Sequence, residues 1–169
     1  MNKSEDNTQT LVKYLKQLEP GKLPLPIFLE IAKLTVTPIL EIVPLRKTKT
    51  GEVEVLLINR EDNDPIWAGM LHTPGTVIRA SDTEGSYEDA LNRILKGELK
   101  GTPCDKPVFV KNLLHKVKRG MESSLIYWVE VIGEPPVGKF YSFSHLPDNL
   151  IDTQREFIKI AIEHFLNRK

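Results

Sequence analysis

The sequence predicts an α/β fold of the mixed α+β kind: a mixed β-sheet between helices, with an added helical segment at the amino terminus. Three observations point there. The chain has 169 residues, 40% apolar and 27% charged, which suffices for one hydrophobic core and is too short for two ordinary domains. Its hydrophobic patterns run in the order helices, strands, one central helix, strands, terminal helix. It also contains neither G-x-G-x-x-G nor G-x-x-x-x-G-K-[ST], which excludes the two glycine-rich nucleotide folds.

The elements follow in order. Leu11, Tyr14, Leu15 and Leu18 recur at helical spacing and stop before Pro20-Gly21. A second helix starts at Pro26, where proline is tolerated in a first turn, and carries Phe28, Ile31, Ala32 and Leu34 toward a core. Residues 1–34 thus read as a tail with a helical extension, and residues 35–169 as the main domain. The β-branched run from Thr35 to Leu45 contains Pro38 and Pro44, which predicts an interrupted edge strand. Gly51 marks a turn into a buried strand, Val53 to Asn59, so the two form a hairpin. Ile66 to His72 reads as a short strand running into Pro74-Gly75.

Ser86 followed by Glu88 and Asp89 starts a helix, since a hydroxyl caps the open amides and acids complement the dipole. Ala90, Leu91, Ile94, Leu95 and Leu99 form its apolar stripe, which ends at Gly101 and Pro103. Two further strands, Val108 to Val117 and Leu125 to Ile132, precede a final amphipathic helix from Thr153 to Leu166.

Charge and cysteine content narrow the function. The 23 basic and 23 acidic residues cancel, so bulk charge does not hold this protein to an anionic polymer or membrane, and nucleic acid is not expected as a partner. Locally, eight Lys or Arg residues between Arg93 and Arg119 stand against two acids. The single cysteine, Cys104, forms no internal disulfide, the four histidines have no metal-ligand spacing, and no apolar run reaches membrane length. The expectation is a cytoplasmic protein that binds no membrane; a homodimer is compatible with it.

One segment carries a family resemblance. The strand Val55-Leu56-Leu57-Ile58-Asn59-Arg60, then Trp67 and His72-Thr73-Pro74-Gly75, then the helix from Tyr87 to Leu99, and later Phe140 to Leu150 before the last helix, together resemble the Nudix hydrolase superfamily. That family's box is G-x5-E-x7-R-E-U-x-E-E-x-G-U, with U aliphatic. Here Thr76 falls at the box glycine and Asp82 at the first glutamate, and a three-residue insertion within about Thr83 to Ser86 precedes the helix. Arg93 and Leu95 match. The three helical glutamates fall on Ile94, Gly97 and Glu98, so two are gone.

The resemblance implies a Nudix-like α/β/α sandwich and metal-assisted attack of water on a diphosphate bridge. It implies Glu98 as catalytic carboxylate and metal ligand, Asp82 as a second ligand, and weakly held magnesium or manganese with no organic cofactor. Glu84 and Glu122 are further acids able to replace lost ligands. Trp67, Arg79 and Lys96 would bind a small phosphate-containing ligand, with Trp67 stacking on a ring and the two cations meeting phosphate. Gly75 and Arg93 would serve structure. Because positions 94 and 98 lie four apart on a helix, both are expected to face one metal site, with Ile94 at the margin of the apolar stripe. Two functions fit: a divergent hydrolase of a nucleoside diphosphate linked to another moiety, with weak or unconventional metal dependence, or an inactive Nudix-fold module that recognises a nucleotide, sugar phosphate or protein partner.

Overall fold

The computed structural model describes residues 3–168. Helix α1 is Lys3–Leu15 and α2 is Leu25–Leu34. Strands β1 (Val36–Lys47), β2 (Val53–Asn59), β3 (Leu71–His72) and β4 (Gly75–Val77) follow. A central helix begins as α3, Glu88–Asn92, and continues as a π-helix, Arg93–Glu98. Strands β5 (Val108–Val117), β6 (Gly120–Glu130) and β7 (Lys139–Ser142), a short 3-10 turn and helix α4 (Asp152–Leu166) complete the chain. Among the described residues, no helix is long and apolar enough to cross a membrane.

The sheet is mixed. β1 runs parallel to β6 over Val36–Leu45 and antiparallel to β2 and β4, while β5 pairs antiparallel with β6 and β7 with β2. Alternation along β1 and β6 builds a core on each face. Val43, Leu45, Ile126 and Trp128 pack against Phe157, Ile158, Ala161, Ile162 and Phe165 of α4. On the other face Leu40, Ile42 and Val129 pack against Ala90 and Ile94 of the central helix. The layers are therefore helix, sheet, helix.

Three expectations from the sequence change here. β1 is central, not an edge strand. Ile42 N–H donates to Pro74 O at 2.8 Å and Pro38 O accepts from Ile78 N–H at 3.0 Å, so the even-numbered residues of β1 direct their backbone groups toward β4. The N–H groups missing at Pro38 and Pro44 therefore fall at the end of β4 and in the gap between β4 and β2. The continuous ladder to β6 is spared. Second, only Leu71–His72 of the stretch Ile66–His72 is strand. Asp64 Oδ1 accepts from the N–H groups of both Ile66 and Trp67 at 2.9 Å, and this side-chain turn takes the chain out of extended geometry. Third, the central helix widens into a π turn, closed by Leu99 N–H donating to Ile94 O at 2.9 Å.

β2, β5 and α4 lie where the sequence places them, and α1 ends at Leu15, short of Leu18. Tyr87, not Ser86, is the N-cap of the central helix; Ser86 Oγ, one residue earlier, accepts from Glu88 N–H at 3.0 Å. Gly51, with φ of 87°, turns β1 into β2. β6 begins at Gly120 instead of Leu125. Gly120 has a φ of 149°, and any Cβ there would collide with the carbonyl of Ala32, so this glycine lets α2 seat against the sheet.

Candidate functional site

The sheet opens where β1 and β2 part. They pair only over Leu45–Lys47 and Val53–Val55, and residues 71–77 cross from pairing with β2, as β3, to pairing with β1, as β4. A pocket of about 480 Å³ lies beneath this crossing, walled by α2, α4 and the pocket-facing residues of β1 and β6. Its apolar wall includes Phe28, Ile31, Trp67 and Phe157. Its polar wall brings together Glu41, Arg60, Arg119, Glu122 and Gln154, with Lys22 and Arg79 also lining it.

Glu41 and Glu98 flank Gly75. Gly75 N–H donates to Glu98 Oε2 at 3.1 Å, and a Cβ on Gly75 would lie 2.5 Å from Glu41 Oε2. Glycine at this position lets the carboxylate approach without moving. Glu41 also accepts from the Thr73 hydroxyl at 3.3 Å, and Thr73 is tied to the side chain of Gln154. Burial raises the Glu41 carboxyl well above its usual range, and the charges of Glu98 and Glu122 raise it further against Arg60 and Arg119. Burial likewise pushes Glu98 up to about 7, opposed by the Gly75 N–H and Arg60. Carboxyls raised by burial in this way occur in functional clefts.

Two guanidinium groups complete the polar wall. Arg119 is paired with Glu122, and its Cζ stands 5.1 Å from the ring centroid of Trp67 and 5.5 Å from that of Phe28. The Arg60 Cζ stands 5.5 Å from the Trp67 centroid, and its Nε lies 3.5 Å from Asp64 Oδ2. His72 is buried beside Arg60, and that burial holds its imidazole down at about 3, so it is neutral at ordinary pH.

The site residues expected from the sequence divide into groups. Trp67, Arg79, Gly75 and Glu98 lie on or against the pocket. Asp82 and Lys96 lie in a separate open groove with Asp89 and Arg93. Asp82 grips the guanidinium of Arg93 through both oxygens and accepts from Arg79 N–H at 2.8 Å; the Arg93 bonds hold its carboxyl below the usual range. Arg93 also donates to Val77 O at 3.0 Å, so it clamps the 78–87 loop to β4. Asp89, one turn before Arg93 on the helix, accepts from the N–H and hydroxyl of Thr83, both at 2.8 Å.

The expectation that positions 94 and 98 face one site is also corrected. Ile94 is fully buried among Leu40, Ile42, Ala90 and Val129, while Glu98 turns to Gly75. The π turn lies between them, and the four-residue rule of a regular helix no longer applies. Lys100, at the position of the second box glycine, has a φ of 52°, the left-handed geometry that glycine adopts without strain.

The residues present do not fit the family's metal. Ile94 and Gly97 supply no ligand, Asp82 is engaged by Arg93, and Glu122 by Arg119. Among the described residues, no three His, Cys, Asp or Glu side chains are grouped so as to hold a metal ion. Sequence reading missed Glu41, Arg60, Thr73 and Gln154. Glu41 had a signal, being the one charge in the otherwise apolar run from Val36 to Leu45; the others have none, since register brings them together.

No protein-family model matches this chain, and no curated protein matches it. Solved structures do. The NUDIX domain of Shewanella oneidensis NrtR, complexed with ADP ribose, is 17% identical with a TM-score of 0.58, covering 98% of this chain and 99% of that one. A mutT/nudix family protein from Listeria innocua is 18% identical with a TM-score of 0.60, over 78% of this chain and 96% of that one. The C-terminal domain of mouse MUTYH, solved with human PCNA, is 15% identical with a TM-score of 0.59, over 80% and 92%. At these identities the likeness is one of fold, and the fold is that of the Nudix hydrolases.

Proposed function

We propose that this chain is a Nudix-fold binding module that takes a small ligand bearing a planar ring and phosphate, without metal-driven hydrolysis. The observation that carries this reading is Ile94, sealed into the apolar core at a position where the family places a carboxylate. With Gly97 near it, the helix retains Glu98 alone, set behind Gly75, and that carboxyl is pushed up to about 7 by burial. One helical carboxylate where the family aligns three leaves a hard divalent cation few protein ligands.

The pocket's chemistry supports the ligand class. Trp67 and Phe28 offer faces to a ring, Glu41 offers a buried polar group to its edge, and Arg60, Arg79 and Lys22 offer positive charge to phosphate. Lys96 and Asp82, in the other groove, take no part. The NrtR domain, whose fold this chain shares, was solved with ADP ribose, a ligand of this kind.

Hydrolysis is the alternative, and the observation in its favour is Glu98 itself, retained at its box position and turned toward Gly75. One experiment separates the two. ADP-ribose is titrated by calorimetry in chelator and again in magnesium or manganese, and the same mixtures are assayed for cleavage. Binding that is indifferent to metal, with no turnover, is the expected result. Turnover at about 1 per second that vanishes in chelator would return the protein to the hydrolases.

A further inference from the structure

We propose that Arg60 is the resident cation of this pocket, a guanidinium standing in for the divalent metal of the fold and presenting itself to the phosphate of the ligand. The inference rests on the non-hydrolytic reading above. Arg60 follows the last residue of β2, and its N–H donates to Met70 O at 2.8 Å, which fixes its backbone at the mouth of the crossing. Its side chain lines the same pocket as Glu41, Trp67 and Gly75, and Glu98 reaches Gly75 from behind.

Asp64 forms an ion pair with this guanidinium. The charge of Arg60 acts on Asp64, Glu41 and Glu98 alike, lowering each against the burial that raises them. The Arg60 Nε is buried and its ion pair to Asp64 Oδ2, at 3.5 Å, is too long for a hydrogen bond. Asp64 spends its other oxygen on the N–H groups of Ile66 and Trp67. Arg119 differs, because it is paired directly with Glu122. The head of Arg60 is thus placed by charge and by the Trp67 ring, and it can meet an incoming anion.

A guanidinium can do part of a metal's work. It balances the carboxylates, and it can grip a phosphate through two parallel N–H donors. It cannot polarise a water as a Lewis acid does, so the same substitution that keeps the ligand gives up the chemistry. Removing Arg60 should take away the positive charge that acts on Glu41 and Glu98 and let a divalent cation supply it instead, since one or two carboxylates can suffice to hold such an ion with its waters.

The test measures manganese binding by electron paramagnetic resonance, with melting temperatures, for the parent and for Arg60→Met, Arg60→Gln and Arg60→Lys. The Met and Gln variants should bind manganese at least about tenfold more tightly than the parent, and Lys should not. Adding Glu98→Gln to Arg60→Met should abolish the gain. Folded Met and Gln variants with no gain would overturn the proposal while leaving the non-hydrolytic reading intact. Glu98-dependent manganese binding by the parent, coupled to turnover, would overturn both. Should the variants not fold, calorimetry on the parent decides: pyrophosphate affinity should be the same in chelator and in excess manganese, and a tightening of about tenfold would show that Arg60 does not replace the ion.

Discussion

Glu98 carries a consequence that can be measured through stability. Its folded carboxyl titrates near 7, against an ordinary 4.5, so between these values the folded protein holds a proton that the unfolded chain has released. The stabilisation is fully present below about pH 4.5 and is lost as pH rises through 7; at about 1.4 kcal/mol per unit, the loss is on the order of 3 kcal/mol. Glu98→Gln keeps an oxygen for the Gly75 N–H and removes the titration. The variant should therefore match the parent at pH 5 and exceed it in melting temperature at pH 8; denaturation across that range checks it, and a constant difference would be the contrary result. At Gly75, Ala would drive a Cβ into the Glu41 carboxylate, costing about 1–3 kcal/mol and weakening ligand binding. Urea melts would register the cost, and a Gly75→Ala protein as stable as the parent would contradict the close approach. None of this was legible in the residues alone. A lone Glu41 in an apolar strand marks itself as unusual, yet only the pairing of Glu41 with Gly75 across β1 and β4 shows what it faces.

At the scale of elements, what the sequence made legible and what it hid follow from the range of the forces involved. β2, β5 and α4 read nearly to the residue, because periodicity records which face of each is buried. The position of β1 was not readable. A proline removes a donor, and whether that matters depends on where the neighbouring strands end, which no local pattern encodes. The π turn was hidden for a similar reason: the apolar stripe from Ala90 to Leu99 fits a regular helix equally well. It changes the expected outcome of restoring the family's glutamates. Ile94→Glu would place a charge among Leu40, Ile42 and Val129, and should cost about 3–5 kcal/mol or more with no gain in metal binding. Gly97→Ala meets no neighbour within 4 Å and should stabilise the helix by up to about 1 kcal/mol. Chemical denaturation of the two variants should give stability changes of opposite sign.

The whole molecule raises the question of which part of the amino-terminal extension belongs to the domain. Every side chain described from Asp6 to Gln17 is exposed, including Leu11 at 58% and Tyr14 at 63%, and a thirteen-residue helix so placed draws little stability from packing. α2 is different. Ala32 is buried, Phe28 and Ile31 wall the pocket, and Gly120 exists to admit the backbone of Ala32. The sequence reading grouped both helices as one extension up to residue 34, and the packing divides them between residues 17 and 25. Removing residues 2–17 should therefore leave the melting temperature within a few degrees of the parent and leave ADP-ribose affinity unchanged. Removing residues 2–34 should strip one wall from the pocket, expose the β1–β6 face beneath α2, and abolish binding together with cooperative unfolding. Calorimetric melts and titrations of the two shortened chains decide the boundary. If the longer deletion bound ligand as well as the parent, α2 would be an accessory and the pocket would be closed by the sheet and α4 alone.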